Sequence, residues 1–137
     1  MKRLFAVATA AVLFLAVCGG SSATTTGGTI NATLTDSKIV LDKATLASGK
    51  VTFNVKNTGT MVHELVVLKT DLAQDKIPAD ADEPGKMSED GSQGESGDLN
   101  IGETKAFTLD LAPGSYVLMC NQVGHYLLGM HIAFVVK

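Results

Sequence analysis

The chain has 137 residues, with 11 Lys plus Arg against 14 Asp plus Glu and a formal net charge of −3. That length suits one domain plus a leader, and the acidic balance lacks the basic footprint of a nucleic-acid binder. Trp is absent and aromatic residues make up only 5%, so a core must be built from Val, Leu, Ile and Phe.

Residues 1–17 read as a secretory signal peptide. Met1, Lys2 and Arg3 form a basic start, and residues 4–17 are apolar or small apart from Thr9. The run is too short for a spanning helix and is followed by Gly and Ser. Leu15, Ala16, Val17 and Cys18 resemble a bacterial lipobox, with Val17 where a small residue is usual. Cys18 is therefore the expected lipidated N-terminus; ordinary cleavage after Ala23 is the alternative. Either route places the domain outside the cytoplasm, in the periplasm or on the outer face of the membrane. Residues 18–28 are almost entirely Gly, Ser, Thr and Ala, the composition of a flexible tether.

From residue 29 the pattern changes to a period of two, which predicts strands. Ile30, Ala32 and Leu34 alternate with polar neighbours, and residues 38–41 form a second short strand. Val51, Phe53 and Val55 share one face of residues 50–56, and residues 57–59 form a turn. Residues 61–70 read as a central strand. His63, Leu65 and Val67 lie on one face of it and Glu64, Val66 and Leu68 on the other.

Residues 71–98 differ in kind. Nine acids, Asp71, Asp75, Asp80, Asp82, Glu83, Glu89, Asp90, Glu95 and Asp98, face only Lys76 and Lys86. One or two helical turns over 72–77, ended by Pro78, are expected, and then a solvated loop too polar to pack. Its functional reading is an acidic surface that steers a basic partner. Alternation resumes over 104–111, with Phe107, Leu109 and Leu111 on one face, and residues 112–114 read as a hairpin turn. In the next strand Tyr116, Leu118 and Cys120 share the inward face. Ile132, Phe134 and Val136 close the sheet.

Between these last two strands lies a loop that carries chemistry. Cys120, His125 and Met130 are separated by four residues each, with Gly124 and Gly129 just before the His and the Met. Glycine gives the backbone freedom there that such a loop needs to turn back on itself. His63 is the upstream imidazole that a packed strand end would add. Two imidazoles, one thiolate and a weak axial thioether are the donors of a blue-copper site. Zinc is the chemical rival, but Met is a poor zinc ligand and structural zinc sites show closely paired Cys or His. The cysteine count agrees: with Cys18 lipidated or removed, Cys120 is a lone thiol in an oxidising compartment. Ligation as thiolate gives it a reason to be there. His131 follows Met130 and should point to the opposite strand face, so it is left out of the site.

Residues 114–120, Gly-Ser-Tyr-Val-Leu-Met-Cys, and the Cys-x4-His-x4-Met loop resemble the C-terminal half of a cupredoxin. The spacing is most similar to that of auracyanin, rusticyanin and sulfocyanin. Residues 57–64, Asn-Thr-Gly-Thr-Met-Val-His-Glu, resemble the segment that supplies the first His ligand. The resemblance covers residues 29–137 and implies an all-β Greek-key β-sandwich that holds one copper ion through His63, Cys120, His125 and Met130. It also implies that His125 is the electron port, with Val123, Tyr126, Leu127 and Leu128 as candidates for an apolar patch around it.

Two neighbours depart from the family. Glu64 stands where Asn commonly follows the first His, and Asn121 stands where Ser or Thr commonly follows the Cys. The expectation is that Glu64 and Asn121 bond to each other and pin the ligand loop; a solvated Glu64 is the alternative. No catalytic triad, phosphate loop or acid–base pair is apparent, so the expected role is a monomeric electron carrier rather than an enzyme. Its expected partners are a c-type cytochrome or a terminal oxidase, with the membrane reached through the lipid anchor. Delivery or sequestration of copper outside the cytoplasm is the alternative function.

Overall fold

A computed structural model describes residues 27–137. The leader, Cys18 and the tether up to residue 26 fall outside the described residues. Two mixed sheets form the fold. The first runs β2 (Lys38–Leu41), β1 (Gly28–Thr35), β4 (Gly49–Asn57), β7 (Thr104–Leu111). The second runs β3 (Thr45–Leu46), β9 (His131–Val136), β8 (Gly114–Met119), β5 (Val66–Lys69), β6 (Ser92–Glu95). β1 lies parallel to β4 and β3 parallel to β9, and every other pairing is antiparallel.

The period-two pattern sets which side chains meet. Ile30, Ala32, Leu34, Val51, Phe53 and Val55 from the first sheet share one buried cluster with Leu65, Val67, Leu118, Cys120, Phe134 and Val136 from the second. Each fully buried Val, Leu, Ile or Phe contributes about 1.5–3 kcal/mol relative to exposure. Phe53 stacks on Phe107 across β4 and β7, with ring centroids 5.2 Å apart. This is the all-β sandwich expected from the sequence.

Three local expectations are corrected. Residues 112–114 do not close a hairpin, because β7 and β8 belong to different sheets. They cross between the layers, and the Tyr116 hydroxyl donates back to the Ala112 carbonyl at 2.7 Å to fix the corner. The strand expected over 61–70 is paired only from Val66 to Lys69. His63 sits before it in an isolated bridge to Leu99, held by His63 N–H to Leu99 O at 3.2 Å and Leu99 N–H to His63 O at 2.7 Å. Residues 72–77 make a turn, closed by Lys76 N–H to Ala73 O, rather than a helix.

The acidic stretch is also more than a solvated loop. β6 within it pairs with β5, and Ile77 and Met87 are buried with Val66, Leu68, Val117, Met119 and Tyr126 in a second cluster. The outer apolar face of β5 and β8 is what this segment covers. Its many acids stay outside, while its two buried apolar side chains anchor it.

Candidate metal centre

The loop after β8 folds back because its two ends bond to each other: Cys120 N–H donates to Met130 O at 3.0 Å. Within it, His125 N–H donates to Gln122 O at 2.9 Å and Met130 N–H to His125 O at 3.2 Å. Gly124 and Gly129 take φ of +81° and +105°, values that side-chain-bearing residues rarely adopt. Tyr126–Leu128 form a short 3₁₀ turn between them. The result is a compact knot that turns His125 inward from above Cys120.

His63 Nδ1, His125 Nδ1 and Cys120 Sγ then converge. The two Nδ1 atoms are 3.1 Å apart, and Sγ lies 3.7 Å from His63 Nδ1 and 3.5 Å from His125 Nδ1. First-row metals bind imidazole nitrogen at about 2.0–2.1 Å and thiolate sulfur at about 2.3 Å, so donors about 3–4 Å apart can share one ion. Among the described residues this is the one group of three His, Cys, Asp or Glu side chains able to do so. His63, Cys120 and Met130 are wholly buried, whereas His125 keeps 9% exposure and is the donor nearest solvent. Met130 shares the core cluster with Cys120. Two imidazoles, a thiol and a thioether fit one copper ion of the type 1 kind.

The protonation of the group suits this use. Burial pushes the Cys120 thiol up to about 11, opposed in part by the Glu64 N–H, which lies 3.5 Å from Sγ. A metal takes the thiolate, so loading releases a proton. Burial, and then the neighbouring His63, lower His125 below the ordinary imidazole range, which keeps it neutral and ready to donate a lone pair.

Glu64 and Asn121 do not pair. Asn121 Nδ2 donates to Met87 O at 3.0 Å and to Glu89 Oε1 at 2.8 Å, while Met87 N–H donates to Asn121 Oδ1 at 2.7 Å. The folded acidic segment brings these partners within reach, and Asn121 uses its whole amide on them. Asn121 still pins the ligand loop, but to residues 87–89. Glu64 is buried, and its carboxyl is raised to about 7 by desolvation and by the charges of Glu95, Asp98 and Glu89.

The surface around His125 is partly as expected. Val123, Leu127 and Leu128 are each more than 60% exposed. Tyr126 is not part of that surface: it is buried, accepts from Ile77 N–H at 3.0 Å and donates to Gln74 O at 2.8 Å. Met61 and Val62, beside His63, are exposed and were missed because their run reads as a buried strand. His131 stays out of the donor group and packs against the Tyr126 ring. Asp36 was also missed. It sits in the turn between β1 and β2, and its Oδ1 lies 3.1 Å from His63 Nε2.

No family model matches the sequence, and no curated protein matches it. Solved structures do. An auracyanin from the photosynthetic bacterium Roseiflexus castenholzii is 26% identical, with a TM-score of 0.61 over 80% of this chain and 96% of that one. The fold is that of a cupredoxin, of the auracyanin and rusticyanin type. Auracyanin A of Chloroflexus aurantiacus, described as a "blue" copper protein, is 25% identical, with a TM-score of 0.54 over 81% of this chain and 100% of that one. Rusticyanin from Thiobacillus ferrooxidans, at 19% identity and a TM-score of 0.59 over 82% of this chain and 79% of that one, shares the fold. The cupredoxin frame explains why one short loop and one distant strand end meet: β8 and β5 are hydrogen-bonded neighbours, with Val66 opposite Met119.

Proposed function

We propose that this protein carries single electrons between redox partners outside the cytoplasm, using one type 1 copper ion held by His63, Cys120, His125 and Met130. The observation that carries this reading is the preformed, buried convergence of His63 Nδ1, His125 Nδ1 and Cys120 Sγ. Bound there, copper supplies the one-electron couple between Cu(II) and Cu(I). The protein supplies a compromise donor set, soft enough for one state and nitrogen-rich enough for the other. The backbone bonds that fix the Cys120–Met130 loop hold the donors in place, so little rearrangement opposes transfer.

His125 is the proposed port, because it alone of the four reaches the surface. Val123, Leu127 and Leu128 around it offer an apolar face for a brief encounter. In residues 71–98 Lys76 and Lys86 are already paired with Asp75 and Glu83, at 3.0 and 3.1 Å. The other acids leave a negative field that would steer a cationic partner, such as a c-type cytochrome, or dock to a terminal oxidase. A lipid anchor at Cys18 would keep the domain near the membrane.

Copper delivery is the rival reading, and the closed burial of three donors favours retention over release. The two separate in one experiment. Copper-loaded protein is mixed first with a cationic cytochrome and then with a metal-free copper acceptor. Fast electron exchange with copper retained is expected; rapid loss of copper to the acceptor with no electron exchange would favour delivery.

A further inference from the structure

His63 donates to the centre through Nδ1, which obliges its other nitrogen to face away, and that nitrogen meets a carboxylate. Asp36 Oδ1 lies 3.1 Å from His63 Nε2. The same carboxylate accepts from Thr60 N–H at 2.7 Å and from the Thr60 hydroxyl at 2.8 Å. Three hydrogen-bonding contacts to one carboxylate favour its anionic form. Asp36 stands 27 residues before His63 and belongs to the other sheet's turn, so the contact is tertiary.

Gly59 makes the room for it. A Cβ on Gly59 would fall 2.2 Å from Asp36 Oδ1 and 2.7 Å from His63 Nε2, far inside contact distance. The backbone there is not in the left-handed region, so glycine is required for space rather than for conformation. Asn57 fixes the same loop, accepting from Gly59 N–H at 2.9 Å and donating to Met61 O at 2.8 Å and Leu99 O at 3.0 Å.

We propose that Asp36, admitted by Gly59, is a positioning residue for the metal ligand His63. As acceptor, the carboxylate keeps the imidazole proton on Nε2. Nδ1 is then the bare nitrogen, turned toward Cys120 and His125. Only one of the two facing Nδ1 atoms can carry a proton across their 3.1 Å gap, and a metal needs both bare. The anion also makes the imidazole a stronger donor and favours the more positive oxidation state of a bound ion. This consequence rests on the proposed copper function, while the contact itself does not.

The test compares Asp36→Asn, Asp36→Ala and Gly59→Ala with the parent protein. Two quantities are read: the His63 Nε2–H proton resonance of the metal-free protein, and the reduction potential and copper affinity of the loaded one. The parent should show a slowly exchanging, downfield Nε2–H. Asp36→Asn keeps an acceptor but loses the charge, so the resonance should persist and the potential should rise. Asp36→Ala should lose the protected resonance, raise the potential and weaken copper binding about 10- to 100-fold. Gly59→Ala should lose the resonance with the charge still present. An Asp36→Ala protein with the parent's resonance would overturn the contact. Loss of the resonance with unchanged potential and affinity would reduce Asp36 to a loop brace and overturn its positioning role. A parent that takes up no copper would refute the electron-carrier reading instead, and the metal-free resonance would still decide the Asp36–His63 contact.

Discussion

Asn121 and Met87 bond in both directions: Met87 N–H donates to Asn121 Oδ1 at 2.7 Å, and Asn121 Nδ2 donates to Met87 O at 3.0 Å. One side chain thus acts as a short strand partner for the acidic segment, next to Cys120. Gly124 N–H, one residue before His125, adds a bond to Gly85 O at 2.8 Å. The segment is therefore a brace for the ligand loop from outside.

Asn121→Ala should leave buried polar groups of Met87 unpaired. The expected cost is about 1–3 kcal/mol, read as a lower urea midpoint for the metal-free domain and faster hydrogen exchange at Met87. An unchanged midpoint and exchange rate would show that the pairing carries no weight.

That brace was not legible in the sequence, for a physical reason. Composition marked residues 71–98 as too polar to pack, and by area most of the segment is indeed exposed. Its attachment depends on Ile77, Met87 and the far end of Tyr126, too few and too scattered to produce a period. Likewise Glu64 was the partner expected for Asn121, and only the folded path of the segment brings Met87 and Glu89 to it instead. Asp36 reads as an ordinary turn residue after β1. In contrast, the alternation in β1, β4 and β8 placed Cys120 inward correctly, because burial parity is a local property. The spacing of Cys120, His125 and Met130 was equally local, and Gly124 and Gly129 take the positive φ that such a loop requires.

Glu64 makes stability depend on pH in a definite direction. Its carboxyl is raised to about 7 in the folded protein, chiefly by burial. The folded state therefore holds the proton more tightly than the unfolded chain does. Its contribution is present below the ordinary carboxylate range and is lost as pH rises through about 7. A shift of this size corresponds to about 3 kcal/mol. Urea midpoints of the metal-free parent and of Glu64→Gln, followed across that window, should converge on the acid side. On the alkaline side the variant should be the more stable. A parent that gains stability relative to the variant as pH rises would contradict the assignment.

The apolar face around His125 should matter for docking and little for the metal. Leu127 and Leu128 are exposed, 70% and 63%, so Leu127→Asp with Leu128→Ser should fold and keep its spectrum. Association with a redox partner should weaken by about 1–3 kcal/mol, roughly 5- to 150-fold in Kd. Unaltered affinity would place the docking face elsewhere.

The acidic surface should act on encounter rate. Asp71, Asp82, Asp90 and Glu95 are exposed, and amides at all four remove charge without touching the core. Reduction by a cationic cytochrome at low salt should slow about tenfold or more, and its salt dependence should flatten. Stopped-flow traces at two ionic strengths give both numbers, and identical rates and slopes would exclude steering by this face.

The most direct measurement is titration of the purified domain with Cu(II), followed by visible absorption and EPR. The account predicts one copper per chain, an intense blue band from thiolate-to-copper charge transfer, and loss of that band in Cys120→Ser. A domain that stays colourless with cupric ion, or that binds it equally well without the Cys120 sulfur, would contradict it.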